Sequence, residues 1–412
     1  MQASRSNAFC FGLLAGLVIT AQLPGQSFLA GGKTPRMFGT DMAVLEAGEA
    51  RQDLPCKVEE SKALLGFDLK FHAGFEVSVP MHELAGSENL LTIVFRVRPE
   101  GNPLGDRYFI QRVKVPLLGE DAKGDAYLQG GFDIGEGKYQ IEWLMRDRSE
   151  RVCSSTWKLE ASLPNKDKSM EMNAGAESVL PTEREQFHEE PPVARSAQEQ
   201  PLTVKVLINF APQRARSATL QPVDTSALVS ILRTISRDPR IGKFSLVVFN
   251  MQDQKILYKQ ENSDRIDFPS IGEALRDLKL GTVDLKKLAV KNSETEFLSD
   301  LLQKEVVPGN VPGSEQYDAL IFAGPKVLLD QNVPQETMRS VGALDFPVFY
   351  LNYNLYPQQI PWRDSIGHAV RYFKGIEYTI SRPRDLWFAV TEMVGKIDKA
   401  RQNKKLGIVV AQ

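Results

Sequence analysis

One change of hydrophobic period divides this chain. Between residues 55 and 161 every apolar run is short and strand-like: Phe67–Phe71, Phe75–Val79, Leu90–Arg98, Tyr108–Leu118, Ala126–Ile134, Tyr139–Arg146 and Arg151–Glu160. Gly, Pro, Asn or Asp separates most of them, as in Gly101-Asn102-Pro103 and Gly135-Glu136-Gly137. A period of two serves one face of a sheet, not one stripe of a helix. About seven such strands at this spacing predict an all-β domain of two packed sheets.

From residue 202 to 400 strands and helices alternate, which predicts an α/β domain with a mainly parallel sheet. Thr203–Phe210 reads as a buried strand, and Leu228, Ile231, Leu232 and Ile235 then recur at helical spacing. Phe244–Phe249 and Lys255–Tyr258 are joined by a hairpin-like turn. Ser270 with Glu273, and Ser293 with Glu296, have the spacing of capping boxes that open helices. Ala319–Ala323, Val348–Leu351 and Ile376–Ile380 are further strands. Ile366, Val370 and Phe373 mark a helix, and a last one after Pro383 carries Leu386, Val390, Met393 and Ile397.

The segments around these domains differ in composition. Residues 162–201 hold one aromatic, Phe187, several prolines and an excess of carboxylates, which predicts a disordered acidic linker. Within it, the run from Glu183 to Glu190 reads as a solvated tether or as a short docking motif. Residues 22–54 read as a flexible N-terminal segment and 401–412 as a C-terminal tail. Ahead of them, Arg5 and the apolar stretch Ala8–Ala21 have the form of a signal peptide over residues 1–21. An uncleaved anchor is the alternative, although the run falls short of the roughly 20 residues that span a bilayer. No later segment is apolar enough to span, so the mature chain is expected to be exported, to periplasm or medium, and soluble once released.

Cysteine usage fits that compartment. Cys10 lies in the signal, leaving Cys56 and Cys153 as either a disulfide or two free thiols. The formal charge of −2 and the lack of a basic stripe argue against a nucleic-acid partner. His72, His82, His188 and His368 form no zinc-protease spacing, and neither a Gly-x-Ser-x-Gly elbow nor a phosphate-binding glycine loop occurs.

Two resemblances refine the picture. The segment Asp133 to Ile141, centred on Tyr139, resembles the tyrosine corner of an immunoglobulin-like sandwich, in which a Tyr hydroxyl ties its strand to the preceding turn. Tyr139, Ile141 and Trp143 alternate and read as core. The element order after residue 202 resembles a von Willebrand factor A domain. Its closing pattern is echoed in Phe373-Lys374-Gly375-Ile376-Glu377-Tyr378 and Arg382-Pro383-Arg384-Asp385-Leu386. A sandwich followed by such a domain resembles bacterial secreted proteins of the A-domain-related type. The fold class expected is therefore multidomain: an immunoglobulin-like sandwich, then a Rossmann-like α/β domain.

That family holds a divalent ion at the carboxyl ends of its strands, through Asp-x-Ser-x-Ser, a Thr and a second Asp. Here Asn209, Ala211 and Gln213 stand at the first three positions, Thr282 at the fourth and Ala323 at the fifth. Without either carboxylate no Mg²⁺ site is expected, because hard cations need anionic oxygen to offset dehydration. The resemblance therefore implies a degenerate site with no metal and no cofactor. Asp284 reads as a helix cap or a substitute ligand.

The resemblance would place a run of aromatic and amide residues on the same face: Asn352, Tyr353, Asn354, Tyr356 and, nearby, Trp362. It reads either as a partner surface or as core packing and helix-end cover. The function expected is non-enzymatic binding of a protein or cell-envelope component. The alternatives are a metal-dependent adhesion module with rearranged ligands and a cryptic hydrolase, for which no nucleophile–base pair is apparent.

Overall fold

A computed structural model describes residues 27–29 and 39–406, except 87, 103, 184, 196–199, 215–216, 218, 277, 279–291 and 307–316. The expected signal at 1–21, the positions Thr282 and Asp284, and residues 407–412 lie outside the described residues.

The first half is antiparallel. Its strands are β1 (Ser27–Leu29), β2 (Lys57–Leu65), β3 (Phe71–Pro80), β4 (Asn89–Pro99), β5 (Arg107–Val115), β6 (Asp125–Ile134), β7 (Gly137–Arg146), β8 (Val152–Ala161) and β9 (Val179–Pro181). They form a five-stranded sheet ordered β1-β5-β4-β7-β8 and a four-stranded sheet ordered β2-β3-β6-β9. Alternate residues of both sheets meet in one core, where Phe75 lies 5.3 Å from the rings of both Phe95 and Trp143. Tyr139 is fully buried there, with its hydroxyl 3.0 Å from the Gly135 carbonyl and 3.2 Å from that of Ser178. Cys56 and Cys153 are bonded, with Cα atoms 6.2 Å apart, and tie the start of β2 to β8 in the opposite sheet.

Two segments expected to be loose are built into this domain instead. In the N-terminal region, β1 pairs with β5, and helix α1 (Gly39–Ala47) seats Leu45 against Val94, Leu144 and Val152. The buried Asp41 of α1 anchors Arg146 at 3.0 Å. The supposed acidic linker likewise buries Leu163, Met170, Ala174 and Val179, and β9 adds to the edge of β6. Its carboxylates are held by partners far along the chain: Glu183 meets Lys70 at 2.5 Å and Arg233 at 3.4 Å, and Glu190 meets Arg237 at 2.6 Å. The run from Glu183 to Glu190 thus docks, but on its own chain.

The second half is a six-stranded sheet with helices on both faces. Its strands are β10 (Leu202–Asn209), β11 (Ile241–Asn250), β12 (Lys255–Ser263), β13 (Ala319–Pro325), β14 (Val348–Tyr353) and β15 (Ile376–Ile380), in the order β12-β11-β10-β13-β14-β15. Only β12 runs antiparallel. Its described helices are α2 (Pro222–Ser236), α3 (Phe268–Arg276), α4 (Ser293–Glu305), α5 (Gln335–Val341), α6 (Ser365–Tyr372) and α7 (Pro383–Lys405). One sheet face packs on α2, α3 and α7, the other on α4, α5 and α6. The inner strands are buried on both faces, which explains their nearly unbroken apolar sequences.

Helix starts follow local chemistry with two corrections. Asp267, not Ser270, caps α3, accepting the Ser270 N–H at 3.0 Å. Asn292 precedes α4 in the left-handed region, and the expected Ser293–Glu296 box does not form. In α7, Pro383 supplies the first helical residue, and Asp385 reaches back to the Arg382 N–H at 3.0 Å. That helix continues to Lys405, so the first residues of the expected tail belong to it. Among the described residues no helix is long and apolar enough to cross a membrane.

Among the described residues, direct contacts between the halves include the following. Phe67, in the turn between β2 and β3, meets Tyr353 at the end of β14, with ring centroids 6.0 Å apart. On α7, Trp387 packs against the sandwich core and Arg384 pairs with Asp167 at 3.0 Å.

Candidate functional site

Open parallel sheets present ligands at the carboxyl ends of their strands, where the order reverses. In this sheet that point lies between β10 and β13, where Ala323 stands beside Ile208, one residue before Asn209. Asn209 is buried, and its Oδ1 accepts the Met251 N–H at 3.1 Å. Its one anion-like oxygen is therefore committed to backbone. Ala323 is fully buried in the core, and Ala211 is nearly so.

Gly324 closes the gap. Its φ of +137° is open to glycine alone among common residues, and a Cβ there would stand 2.8 Å from the Asn209 Cβ and 2.9 Å from its carbonyl oxygen. The two strand ends thus approach closely between β10 and β13. Gln213 turns to Asn354 instead, donating from Nε2 to Oδ1 at 3.2 Å. Among the described residues the donor set, one amide oxygen already bonded, the two methyl groups of Ala211 and Ala323 and a second amide facing another loop, does not fit a hard divalent cation.

The aromatic run divides in two. Asn352, Tyr353 and Asn354 are buried, so these three do not form an accessible surface. Tyr353 continues the inward phase of Phe349 and Leu351, and its hydroxyl meets Asp224 Oδ1 at 3.3 Å near the start of α2. Burial raises the pKa of Asp224 and, more strongly, that of Tyr353, which keeps the phenol neutral. Asn352 Nδ2 donates to Glu377 at 2.8 Å, while its Oδ1 finds no hydrogen-bond partner among the described residues. Asn354 organises the following loop: its Oδ1 accepts the Tyr356 N–H at 3.1 Å, and its Nδ2 donates to the Ile360 carbonyl at 3.4 Å.

Tyr356 and Trp362, by contrast, are 49% and 55% exposed. Their loop is pinned from beneath by Lys326, whose ammonium donates to the carbonyls of Ile360 at 2.8 Å and Trp362 at 2.6 Å. Asp364 then anchors the loop's exit. It is buried, accepts the Val327 N–H at 2.7 Å and the Gly367 N–H at 3.0 Å, and takes the Tyr350 hydroxyl at 3.0 Å. Burial raises its pKa despite these donors. Sequence reasoning missed Lys326 and Asp364. An Asp-Ser pair just before an apolar helical repeat was the available signal for Asp364; nothing local marks Lys326.

A second cluster lies in the sandwich. His72 stands between Asp133, 2.8 Å from Nδ1, and Asp68, 2.9 Å from Nε2. Its pKa is raised to about 10, first by the bond to Asp133 and then by that to Asp68. The ring is therefore a doubly protonated imidazolium at neutral pH. These three residues have metal-ligand types in proximity. However, each ring nitrogen faces a different carboxylate, and a ring's two nitrogens cannot both reach one ion. Thr182 donates to Asp133 rather than to the imidazole, at 3.0 Å, so the group lacks the hydroxyl–imidazole contact of a hydrolytic triad. The cluster is a charged clamp that holds the Phe67 turn. A Cβ at Gly66 would sit 2.2 Å from His72 Nε2, so a larger residue there would have to displace the ring.

No protein-family model matches the chain, and no curated protein matches it. Among solved structures, a mutant of the PilB minor pilin from Streptococcus sanguinis is 8% identical over 87% of this chain and 94% of that one, with a TM-score of 0.26. A superoxide reductase (neelaredoxin) from Ignicoccus hospitalis is 13% identical over 26% of this chain and 80% of its own, with a TM-score of 0.17. A glycosyl hydrolase family 2 member from Bacteroides cellulosilyticus is 10% identical over 74% and 36%, with a TM-score of 0.18. Likenesses this slight carry no argument about fold or function.

Proposed function

We propose that this chain is an exported, non-enzymatic binding protein, in which an immunoglobulin-like sandwich is docked on a von Willebrand factor A-like domain that holds no metal. The strand order, with a single antiparallel edge strand, supports the A-like reading, and the Tyr139 hydroxyl bond to Gly135 supports the immunoglobulin-like one. The Cys56–Cys153 bond suits an oxidising compartment, in keeping with the signal-like N-terminus.

The observation that carries the functional reading is the contrast at the strand ends. The former ligand positions are closed by Gly324 against Asn209, while the neighbouring loop displays Tyr356 and Trp362 on a fixed frame. Rigid aromatic side chains provide contact area at low entropic cost. Their partner is a protein or another cell-envelope component. Affinity capture from an envelope extract, comparing the natural chain with Tyr356→Ala/Trp362→Ala, tests this. A partner retained by the natural chain and lost by the variant is expected; equal capture by both removes the loop from the account.

A further inference from the structure

We propose that the outer face of the five-stranded sheet carries a second binding site, a groove for an extended acidic peptide. Along β5, Gln111, Val113 and Val115 point into the core, while Arg112 and Lys114 alternate outward and are exposed. Helix α1 covers this face around Val94, Ile110 and Leu144, and among the described residues the part around Arg112 and Lys114 is left exposed. There, Arg112 stands opposite Thr92, and Lys114 opposite Leu90. These residues, with Val115 and Arg148, line a groove of about 710 Å³.

Glu88 adds a carboxylate to the groove lining, but Arg112, Lys114 and Arg148 still leave it cationic once the other acidic groups are paired. Glu150 and Asp41 are taken by Arg146, at 2.7 and 3.0 Å, and Asp147 is taken by Arg151 at 2.9 Å. Arg148 is oriented by the Glu88 carbonyl at 3.2 Å. Arg112 and Lys114 enter no ion pair among the described residues. The chain's formal charge of −2 provides no long-range attraction for an anion, so selection has to be local.

Spacing then favours one ligand geometry. Two residues along a strand are separated by roughly 7 Å, and an extended peptide repeats its alternate side chains at the same distance. Carboxylates at alternate positions would meet Arg112 and Lys114 in turn, with Arg112 able to bind one of them bidentately. Leu90, exposed opposite Lys114, offers apolar contact to the intervening methylenes.

This site is on the opposite domain from the Tyr356–Trp362 loop, so the two readings fail independently. Fluorescence anisotropy of the full chain with a labelled peptide of alternating Glu and Thr tests it, with a Lys-Thr peptide and pyrophosphate as comparison probes. Saturable binding of the acidic peptide is expected. It should weaken roughly tenfold or more in Arg112→Glu/Lys114→Glu and be insensitive to Tyr356→Ala/Trp362→Ala. If the charge reversal unfolds the domain, Arg112→Gln/Lys114→Gln must show the loss with an unchanged melting point. Absence of saturable binding, or equal binding by the folded variant, overturns the site. Displacement by pyrophosphate as effective as by peptide overturns its assignment to an extended carboxylate chain.

Discussion

Phe67 of the sandwich and Tyr353 of the α/β domain meet edge to face, their ring planes at 81° and their centroids 6.0 Å apart. On the same side, Phe187 lies 6.3 Å from Phe210, which follows β10. Two phenylalanines from outside the α/β fold thus cover the strand ends at which such sheets usually receive ligands. The chain Lys70–Glu183–Arg233 runs beside them and links the turn, the crossing segment and α2.

If the Phe67–Tyr353 contact contributes to docking, Phe67→Ala and Tyr353→Ala will not be additive. A double-mutant cycle in urea should return a coupling of about 0.5–1.5 kcal/mol, the usual range for an aromatic pair. A coupling indistinguishable from zero would mean that the rings are neighbours without holding the halves together.

His72 sets a pH dependence whose sign can be worked out. Its folded pKa is raised to about 10 from an ordinary 6.5, so the folded chain binds the proton more tightly. The stabilisation is complete below pH 6.5 and is lost as pH rises toward 10. Asp68 acts oppositely: despite burial, its bonds to His72 hold its pKa below 3.8, and its contribution is lost below that pH. Unfolding free energy measured at intervals from neutral to pH 10 should fall in the natural chain and be flatter in His72→Gln. Parallel profiles would remove the clamp.

The Cys56–Cys153 bond closes a loop with a sequence separation of 97. Loop-closure entropy gives it roughly 4–5 kcal/mol. Cys56→Ser/Cys153→Ser should therefore lower the melting temperature by on the order of 10 °C, as should reduction of the natural chain. A melting point that ignores reductant would show that the sheets hold without it.

Both layers of the fold were legible because burial imposes a period: two in the sandwich, and continuous apolar strands between helices in the second half. The misread segments share a different cause. Residues 162–201 look soluble in any local window, yet Glu183 and Glu190 find Lys70, Arg233 and Arg237, partners that only the fold brings near. In the aromatic run, Tyr353 is the last inward residue of β14, whereas Tyr356 lies beyond the turn that Asn354 makes. Identical side chains then have opposite exposure, and composition cannot separate them. The His72 clamp was invisible for the same reason, since Asp133 lies 61 residues away.

Gly324 offers a direct check on the closed strand ends. Ala at this position must adopt a φ of +137° and place its Cβ 2.8 Å from that of Asn209. Gly324→Ala should cost on the order of 2 kcal/mol or more, against about zero for the control Gly39→Ala, where φ is not positive and nothing lies within 4 Å. A neutral Gly324→Ala would show that room remains between the two strands.

The central proposal, that the α/β domain presents a surface in place of an ion, is tested most directly by thermal unfolding of the full chain in Mg²⁺, in Mn²⁺ and in chelator. An ion at about a thousand times its Kd would add about 4 kcal/mol and move the midpoint by several degrees. With Asn209 bonded to Met251 and Ala323 in the core, the three midpoints should coincide. A saturable upward shift in either cation, abolished by Asn209→Leu, would contradict the account.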